Sequence, residues 1–126
     1  MLENTSYVGF IPVTNLATAK NFFVDSLGLT FVYEDEYALV VDANGTTIRI
    51  TSVPDLRPQP FTIAGWSSDD VAATVSQLKT AGVTFLRYDG LDQDELDIWH
   101  APGGNLVAWF SDLDNNVLSI SGRVPD

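Results

Sequence analysis

Two short segments of the chain are almost identical: residues 28–32 read G-L-T-F-V, and residues 82–86 read G-V-T-F-L. Each follows a stretch whose apolar residues recur at helical spacing, and a β-type run precedes each helix, at 7–13 and at 61–66. A glycine after the last turn of a helix can adopt a left-handed backbone conformation without steric cost. The pattern predicts that a strand, a helix and a terminating glycine occur twice.

The first residue of each helix is predicted from side chains that can accept a backbone N–H. The N-cap candidates are Thr14 or Asn15 for the first helix, and Ser68, Asp69 or Asp70 for the second.

Two predicted hairpins extend the repeat, at 37–51 and at 107–121. Aligning them places Arg49 on Ser119, and the turns D-A-N-G and D-L-D-N each end in a residue that tolerates positive φ. The hairpins are further apart than the glycines, so the second copy contains extra residues, within 89–104.

The sequence therefore predicts an α+β fold with two tandem βαβββ units. We expect curved mixed sheets around a cavity, with the helices on the outer face. The boundaries are predicted as one domain over 1–126, with unit 1 at 6–52, a proline-rich linker at 53–60 and unit 2 at 61–122.

Composition excludes several classes of protein. Seventeen acidic and six basic residues give a formal charge of −11, which disfavours nucleic-acid binding and favours a cationic ligand over an anionic one. No apolar run reaches the roughly 18 residues of a membrane helix, and the N-terminus does not have the layout of a signal peptide. With no cysteine in the chain, we expect a cytoplasmic protein that binds neither nucleic acid nor membrane.

Two of the predicted strands are apolar on both faces. Residues 7–13 are apolar at odd and even positions, and in the strand at 61–66, Phe61 and Ile63 share one face while Ala64 and Trp66 share the other. The face that the helix does not cover must meet something else, and a ligand pocket is one solution. A tightly filled sandwich without a pocket is the alternative.

Doubled βαβββ units with a D-x-D-G-like turn before the last strand resemble the vicinal oxygen chelate superfamily. It includes glyoxalase I, extradiol dioxygenases, methylmalonyl-CoA epimerase and the bleomycin and fosfomycin resistance proteins. The matching stretches are residues 11–29 and 107–120. The resemblance implies the glyoxalase/bleomycin-resistance fold and, by analogy with the acidic resistance proteins, a homodimer with a small-molecule ligand.

In the metal enzymes of that superfamily, histidine and glutamate side chains hold a divalent ion that acts as a Lewis acid. The resemblance places these ligand positions at Val8, Arg49, Ile63 and Ser119. Two are aliphatic, one is a permanent cation and one is a weakly coordinating hydroxyl. We therefore expect no metal site and no cofactor.

Other candidate groups lie in the extra residues. His100 is the only histidine, and it is expected to be exposed or structurally hydrogen-bonded, with a role as general base as the alternative. Five acidic residues lack the spacing of an EF-hand and predict a solvated loop, with a rim over the pocket as a second interpretation. They are Asp89, Asp92, Asp94, Glu95 and Asp97.

Ligand contacts are predicted from the positions expected to face the cavity. A three-residue hairpin loop would place Leu39 beside Arg49 and Trp109 beside Ser119. Trp109 could stack on a planar ligand or receive a cation, and Arg49 would meet an anionic ligand group or pair with an acid such as Asp42 or Glu36. The predicted ligand-binding residues are Val8, Phe10, Leu39, Arg49, Phe61, Ile63, Trp109 and Ser119.

These observations favour metal-independent binding or sequestration of a small molecule in an apolar and aromatic cavity. One alternative is a small lyase, isomerase or dioxygenase-type enzyme with an atypical or absent metal site. Another is a protein-interaction module. The sequence identifies neither the ligand nor a catalytic residue.

Overall fold

The computed structural model describes residues 1–124, and the chain divides into two compact units, 1–57 and 58–126. Each unit contains one four-stranded mixed sheet. In each sheet the first strand runs parallel to the last strand of its unit, and the remaining pairs are antiparallel. The predicted α+β class and the tandem βαβββ-like units are confirmed.

The elements follow the predicted order. The first unit contains β1 (Val8–Val13), α1 (Leu16–Lys20) continued by a π-helical turn (Asn21–Ser26), β2 (Thr30–Glu34), β3 (Ala38–Ala43) and β4 (Thr46–Ser52). The second contains β5 (Thr62–Ser67), α2 (Val71–Thr80), β6 (Trp99–His100), a 3-10 turn (Pro102–Gly104), β7 (Asn105–Ser111) and β8 (Val117–Arg123). The strand orders are β1-β4-β3-β2 and β5-β8-β7-β6.

The ends of the helices confirm the predicted N-caps and terminating glycines. Asn15 and Asp70 are the N-caps, and each side chain accepts the backbone N–H of the residue three positions further on, at 3.0 Å. Gly28 and Gly82 follow the helices with φ of 77° and 91°. Both helices therefore begin and end where their local sequence satisfies the terminal backbone groups.

Each sheet buries one face against its own helix. The most buried apolar side chains of the first unit are Ile11, Val13, Phe23, Leu39, Val41 and Ile50, and those of the second are Val75, Ile98, Ala108, Phe110, Leu118 and Ile120. Full burial of one of the valine, leucine, isoleucine or phenylalanine side chains stabilises the fold by about 1.5–3 kcal/mol. Among residues 1–124, none of the helices has the length and apolar content needed to cross a membrane.

The two hairpins differ in turn length, and this corrects one predicted register. The first turn consists of Asn44 and Gly45 alone, both with positive φ, as a two-residue type I′ turn requires. Arg49 therefore pairs with Val40, while Leu39 pairs with Ile50. The prediction that Leu39 lies beside Arg49 is wrong, because it assumed a loop one residue longer.

The edge strand of the second sheet is divided into two short pieces, and a segment between them leaves the sheet. Phe85 forms a bridge with Phe110, and further along β7 the β6 residue Trp99 pairs with Val107. The Leu86 N–H still donates to the Trp109 carbonyl oxygen at 2.8 Å, and the chain then leaves the sheet edge until Trp99. We call residues 86–98 the insert. The sequence placed extra residues within 89–104 but did not predict that they divide a strand.

A buried glutamine holds the insert together. Gln93 is 7% exposed, and its Nε2 donates to the carbonyl oxygens of Leu86 and Asp97, both at 2.9 Å. Its Oε1 accepts the backbone N–H of Tyr88 at 2.7 Å. One side chain thus satisfies three backbone groups from separate parts of the insert.

A charge cluster fastens the insert to α2. Asp97 accepts hydrogen bonds from Lys79, at 2.8 Å, and from Arg87. Partial burial raises the pKa of Asp97, but the hydrogen bonds and positive charges of Lys79 and Arg87 outweigh it, so the pKa is lowered. Asp89 and Asp92 remain exposed, so the predicted solvated loop describes only part of the insert.

Gly122 lies where a larger residue does not fit. A Cβ built there would be 2.4 Å from the Ser68 carbonyl oxygen and 2.8 Å from the Val71 side chain. We expect Gly122→Ala to lower the free energy of unfolding by about 1–3 kcal/mol, measured by denaturant titration. Gly9→Ala is the matched control, because its Cβ would meet only ordinary contacts at 3.6 and 3.7 Å. An equal effect of both substitutions would contradict the close packing at Gly122.

Removing the charge of Asp97 should destabilise the second unit. We expect Asp97→Asn to lower the free energy of unfolding at neutral pH by about 1–2 kcal/mol. The folded-state pKa lies below the unfolded value near 3.8, so this stabilisation is complete above that pH and disappears as pH falls through the folded-state pKa. Chemical denaturation of both proteins at several pH values measures it. A difference that persisted in strong acid would show that charge is not its origin.

Candidate functional site

The face of each sheet opposite its helix carries several of the predicted site residues; we call it the open face. On the open face of the first sheet, Phe10, Arg49, Val40 and Tyr33 lie side by side on four strands. Arg49 Nη1 donates to the hydroxyl of Tyr33 at 3.1 Å. Val40, between them in register, is only 3% exposed. Arg49 is therefore held in place by a tyrosine rather than by an acid.

Arg49 has no carboxylate within ion-pairing distance among residues 1–124. Asp42 and Glu36, the partners considered from the sequence, do not pair with it. The pKa of Asp35 is lowered chiefly by backbone N–H groups that donate to its carboxylate, and the charge of Arg49 adds only a minor effect. The guanidinium thus keeps donors that could meet an anionic group.

The other predicted residues of the first unit occupy different surroundings. Val8 and Phe10 are on the open face, with 38% and 63% of their surface exposed. Leu39 pairs with Ile50, is fully buried and shares the helix-covered face. Leu39 is thus removed from the predicted set.

On the second sheet, Gly65, Ser119 and Trp109 form the row that corresponds to Phe10, Arg49 and Val40. The predicted pairing of Trp109 with Ser119 is confirmed. A Cβ at Gly65 would be 2.3 Å from Ser119 Oγ, so the serine hydroxyl lies over the glycine backbone.

A β-bulge in β5 changes the predicted alternation of that strand. Thr62 is level with Val117 and Ala64 with Leu118, which leaves Ile63 without a partner in register. Thr62 Oγ1 accepts a hydrogen bond from Trp109 Nε1 at 3.1 Å. The bulge therefore brings Thr62 to the side of Trp109. Phe61 precedes the strand and is 59% exposed.

Three aromatic rings meet on the open face of the second sheet. The Trp99 ring is stacked on that of Trp109, with centroids 6.0 Å apart and planes inclined by 27°. Tyr88 meets Trp109 edge to face at 5.3 Å, a geometry that the ring quadrupoles favour. We call Tyr88, Trp99 and Trp109 the aromatic cluster.

Sequence reasoning found Trp109 but missed Tyr88 and Trp99. Both are located by Gln93, which accepts the N–H of Tyr88 and pairs through its backbone with Trp99. The available signal was an aromatic residue near each end of the insert. Because the insert leaves the sheet edge and rejoins it, the residues at its two ends lie close together, which brings Tyr88 and Trp99 to Trp109.

His100 is hydrogen-bonded to a carboxylate away from the aromatic cluster. Its Nε2 lies 2.9 Å from Asp94 Oδ2, while Asp94 Oδ1 accepts the N–H groups of Leu96 and Ile98. Burial raises the pKa of Asp94, but hydrogen bonds, first that of His100, outweigh it, so the pKa is lowered. Adjacent residues of a strand point to opposite faces, so His100 faces away from the side of Trp99. The expectation of a structurally hydrogen-bonded histidine is confirmed.

The four positions that resemble metal-ligand positions do not fit a divalent ion. The Arg49 guanidinium has no lone pair to offer and donates to Tyr33. Val8 and Ile63 contain no donor atom in their side chains, and Ser119 offers only a neutral hydroxyl. Within residues 1–124, no group of three or more acidic or histidine side chains could hold a metal ion.

Comparisons with solved structures show the same fold in several bacterial proteins. A glyoxalase/bleomycin resistance protein/dioxygenase from Alicyclobacillus acidocaldarius has 18% identity and a TM-score of 0.76, covering 98% of this chain and 94% of that one. TnmS3, an antibiotic binding protein from Streptomyces sp. CB03234, has 24% identity and a TM-score of 0.73, covering 98% and 99%. The fosfomycin resistance protein FosX from Listeria monocytogenes has 16% identity and a TM-score of 0.74, covering 98% and 96%.

Sequence comparisons identify a family for this chain but no individual curated relative. No curated protein sequence matches the chain. The family model of the Glyoxalase/Bleomycin resistance protein/Dioxygenase superfamily matches residues 6–119, which is nearly the whole chain. The chain belongs to the glyoxalase/bleomycin resistance protein/dioxygenase superfamily.

Proposed function

We propose that the protein binds a small planar molecule, without a metal ion and without changing it covalently. The aromatic cluster carries this proposal, because it offers tryptophan and tyrosine surface on the open face of a sheet. Aromatic side chains supply large apolar contact areas and have specific stacking geometries. Ligand sites are commonly apolar and aromatic walls with a few polar groups that fix orientation.

Trp109 is the centre of this surface. Its indole contacts both other rings of the cluster, and its Nε1 is held by Thr62. A ring fixed on three sides loses little conformational freedom when a ligand stacks on it, which favours affinity. Ser119, next to Trp109 in register, contributes a hydroxyl that can donate or accept a hydrogen bond.

The spacing within the cluster limits how a ligand can bind. The indoles of Trp99 and Trp109 are 6.0 Å apart, which is close to the distance of two rings in direct contact. No third ring fits between them. A planar ligand therefore stacks on the outer surface of the pair.

The relatives support a binding role by analogy only. TnmS3 is described as an antibiotic binding protein and FosX as a fosfomycin resistance protein, and both have the fold of this chain. One superfamily fold supports many activities, so the function of this chain has to be inferred from its own site. We propose no reaction, since His100 faces away from the aromatic cluster.

The first unit offers separate binding groups in this proposal. Val8, Phe10 and Arg49 share an open face on which apolar surface surrounds a guanidinium. Phe61 and Ile63 stay predictions, as do the homodimer and the cytoplasmic location.

Removing the central indole should abolish most of the affinity. We expect Trp109→Leu to raise the dissociation constant of a planar aromatic ligand at least about tenfold, since buried tryptophans dominate binding energies. A panel of aromatic antibiotics and metabolites is tested by thermal shift, and the hits by calorimetry. Tyr37→Ser is the matched control, because it removes an exposed aromatic ring from the first unit. Equal affinities of wild type and Trp109→Leu would contradict the assignment of the aromatic cluster as the binding surface.

The residue types at the four metal-ligand positions predict indifference to divalent ions. We expect that manganese, nickel, zinc and iron(II), each at micromolar concentration, leave the melting temperature unchanged, and that chelator leaves ligand binding intact. A divalent ion that bound the native state would instead raise the melting temperature by mass action. Stoichiometric metal in the purified protein, with loss of ligand binding on chelation, would refute the metal-free proposal.

A further inference from the structure

A cleft of about 520 Å³ adjoins the aromatic cluster within the second unit. It lies where β6, the beginning of β7 and the end of β8 meet, next to the 3-10 turn. Its lining includes Trp99, Pro102, Asn105, Val107, Ser121 and Arg123.

The cleft continues the open face of the second sheet. Trp99, Val107 and Ser121 form one row across three strands, and Trp109 with Ser119 forms the next row on the same face. Trp99 therefore belongs both to the aromatic cluster and to the wall of the cleft. A ring that stacks on Trp99 from the cleft side remains in contact with the surface proposed above.

The charge of the cleft is opposite to that of the chain. The protein carries 17 acidic and six basic residues, yet the lining of the cleft contains one arginine and no acidic side chain. Among residues 1–124, Arg123 has no carboxylate within ion-pairing distance. The cleft thus offers a local positive charge on a chain whose net charge is negative.

The Arg123 side chain is held in position but retains free donors. Nη1 donates to Asn105 Oδ1 at 3.1 Å, and Nη2 donates to the Gly103 carbonyl oxygen at 2.8 Å. Guanidinium has five N–H donors, so three remain without a partner among residues 1–124. The backbone beside it is fixed as well, since Val124 donates its N–H to Gly104 at 2.8 Å.

We propose that the cleft binds the anionic group of a planar aromatic ligand, such as an aryl carboxylate or sulfonate, with its ring against Trp99 and its charge at Arg123. The proposal rests on the proposed function and names the ligand class. Arginine suits this role because its planar fork matches the oxygen atoms of such anions and forms charge-assisted hydrogen bonds. It departs from the expectation, drawn from net charge alone, that a cationic ligand is preferred.

Two fluorescent probes with related ring systems separate the ring from the charge. Anilinonaphthalene sulfonate carries the anion, and N-phenylnaphthylamine does not. We expect the wild type to bind both probes. Arg123→Gln should raise the dissociation constant of the sulfonate about tenfold, the loss of one charge-assisted interaction, and that of the neutral probe less than about twofold.

Three further variants test the assignment. Arg123→Lys keeps the charge but loses the fork, so it should bind the sulfonate with intermediate affinity. Trp99→Leu should weaken both probes, because both stack on the indole. Arg57→Gln is the matched control, since it removes an exposed positive charge from the first unit and should change neither constant. Melting temperatures and circular dichroism verify that each variant is folded.

The outcomes distinguish the two proposals. If Arg123→Gln and wild type bind the sulfonate equally while the neutral probe still binds, the anion site is wrong and the aromatic binding surface stands. If the wild type binds the neutral probe but not the sulfonate, the anion site is again overturned. If the wild type binds neither probe, the proposed function fails together with the inference.

Discussion

The three side-chain hydrogen bonds of Gln93 are the interaction on which the candidate site depends. A buried amide can remain unpaired only at a cost of about 1–3 kcal/mol, so the backbone groups that satisfy it are held near one another. Because one of these groups belongs to Tyr88, and because Gln93 pairs with Trp99, closing the insert brings two aromatic rings to Trp109. A polar residue buried in a loop thereby builds an apolar surface.

The two units show how one architecture can present different chemistry. Arg49 and Ser119 occupy corresponding places on the last strands, but the neighbour of Arg49 on the first strand is Phe10, whereas that of Ser119 is Gly65. The glycine leaves room for the serine hydroxyl, and the tryptophan on the adjacent strand completes the row. Repetition of the backbone therefore does not repeat the binding groups. In both units the helix-covered side is ordinary core, and the differences accumulate on the open face.

Much of the fold follows from local sequence, because caps, turns and apolar periodicity act over a few residues. Sequence repetition predicted the tandem units. The pairing of Trp109 with Ser119 was predicted correctly because the second hairpin turn is longer than the first. Leu39 was misplaced although the turn Asn44–Gly45 is a strong local signal for a two-residue hairpin. The contribution of Tyr88 was missed although an aromatic residue stands near each end of the insert, because its position depends on where Gln93 closes a loop that has no periodic pattern. The side-chain contacts of Gln93 reach only four to seven residues along the chain, but they follow no periodic sequence pattern.

Heteronuclear NMR of the isotope-labelled protein, titrated with N-phenylnaphthylamine, tests most directly whether ligands stack on the aromatic cluster. The chain contains three tryptophans, and each contributes one indole N–H signal. We expect the signals of Trp99 and Trp109 to shift with a common dissociation constant. Trp66, whose ring stacks on the buried Phe110 at 6.3 Å, should stay unchanged and serves as an internal control. Saturable binding of the probe without a shift at Trp99 or Trp109 would contradict the assignment of this surface as the binding site.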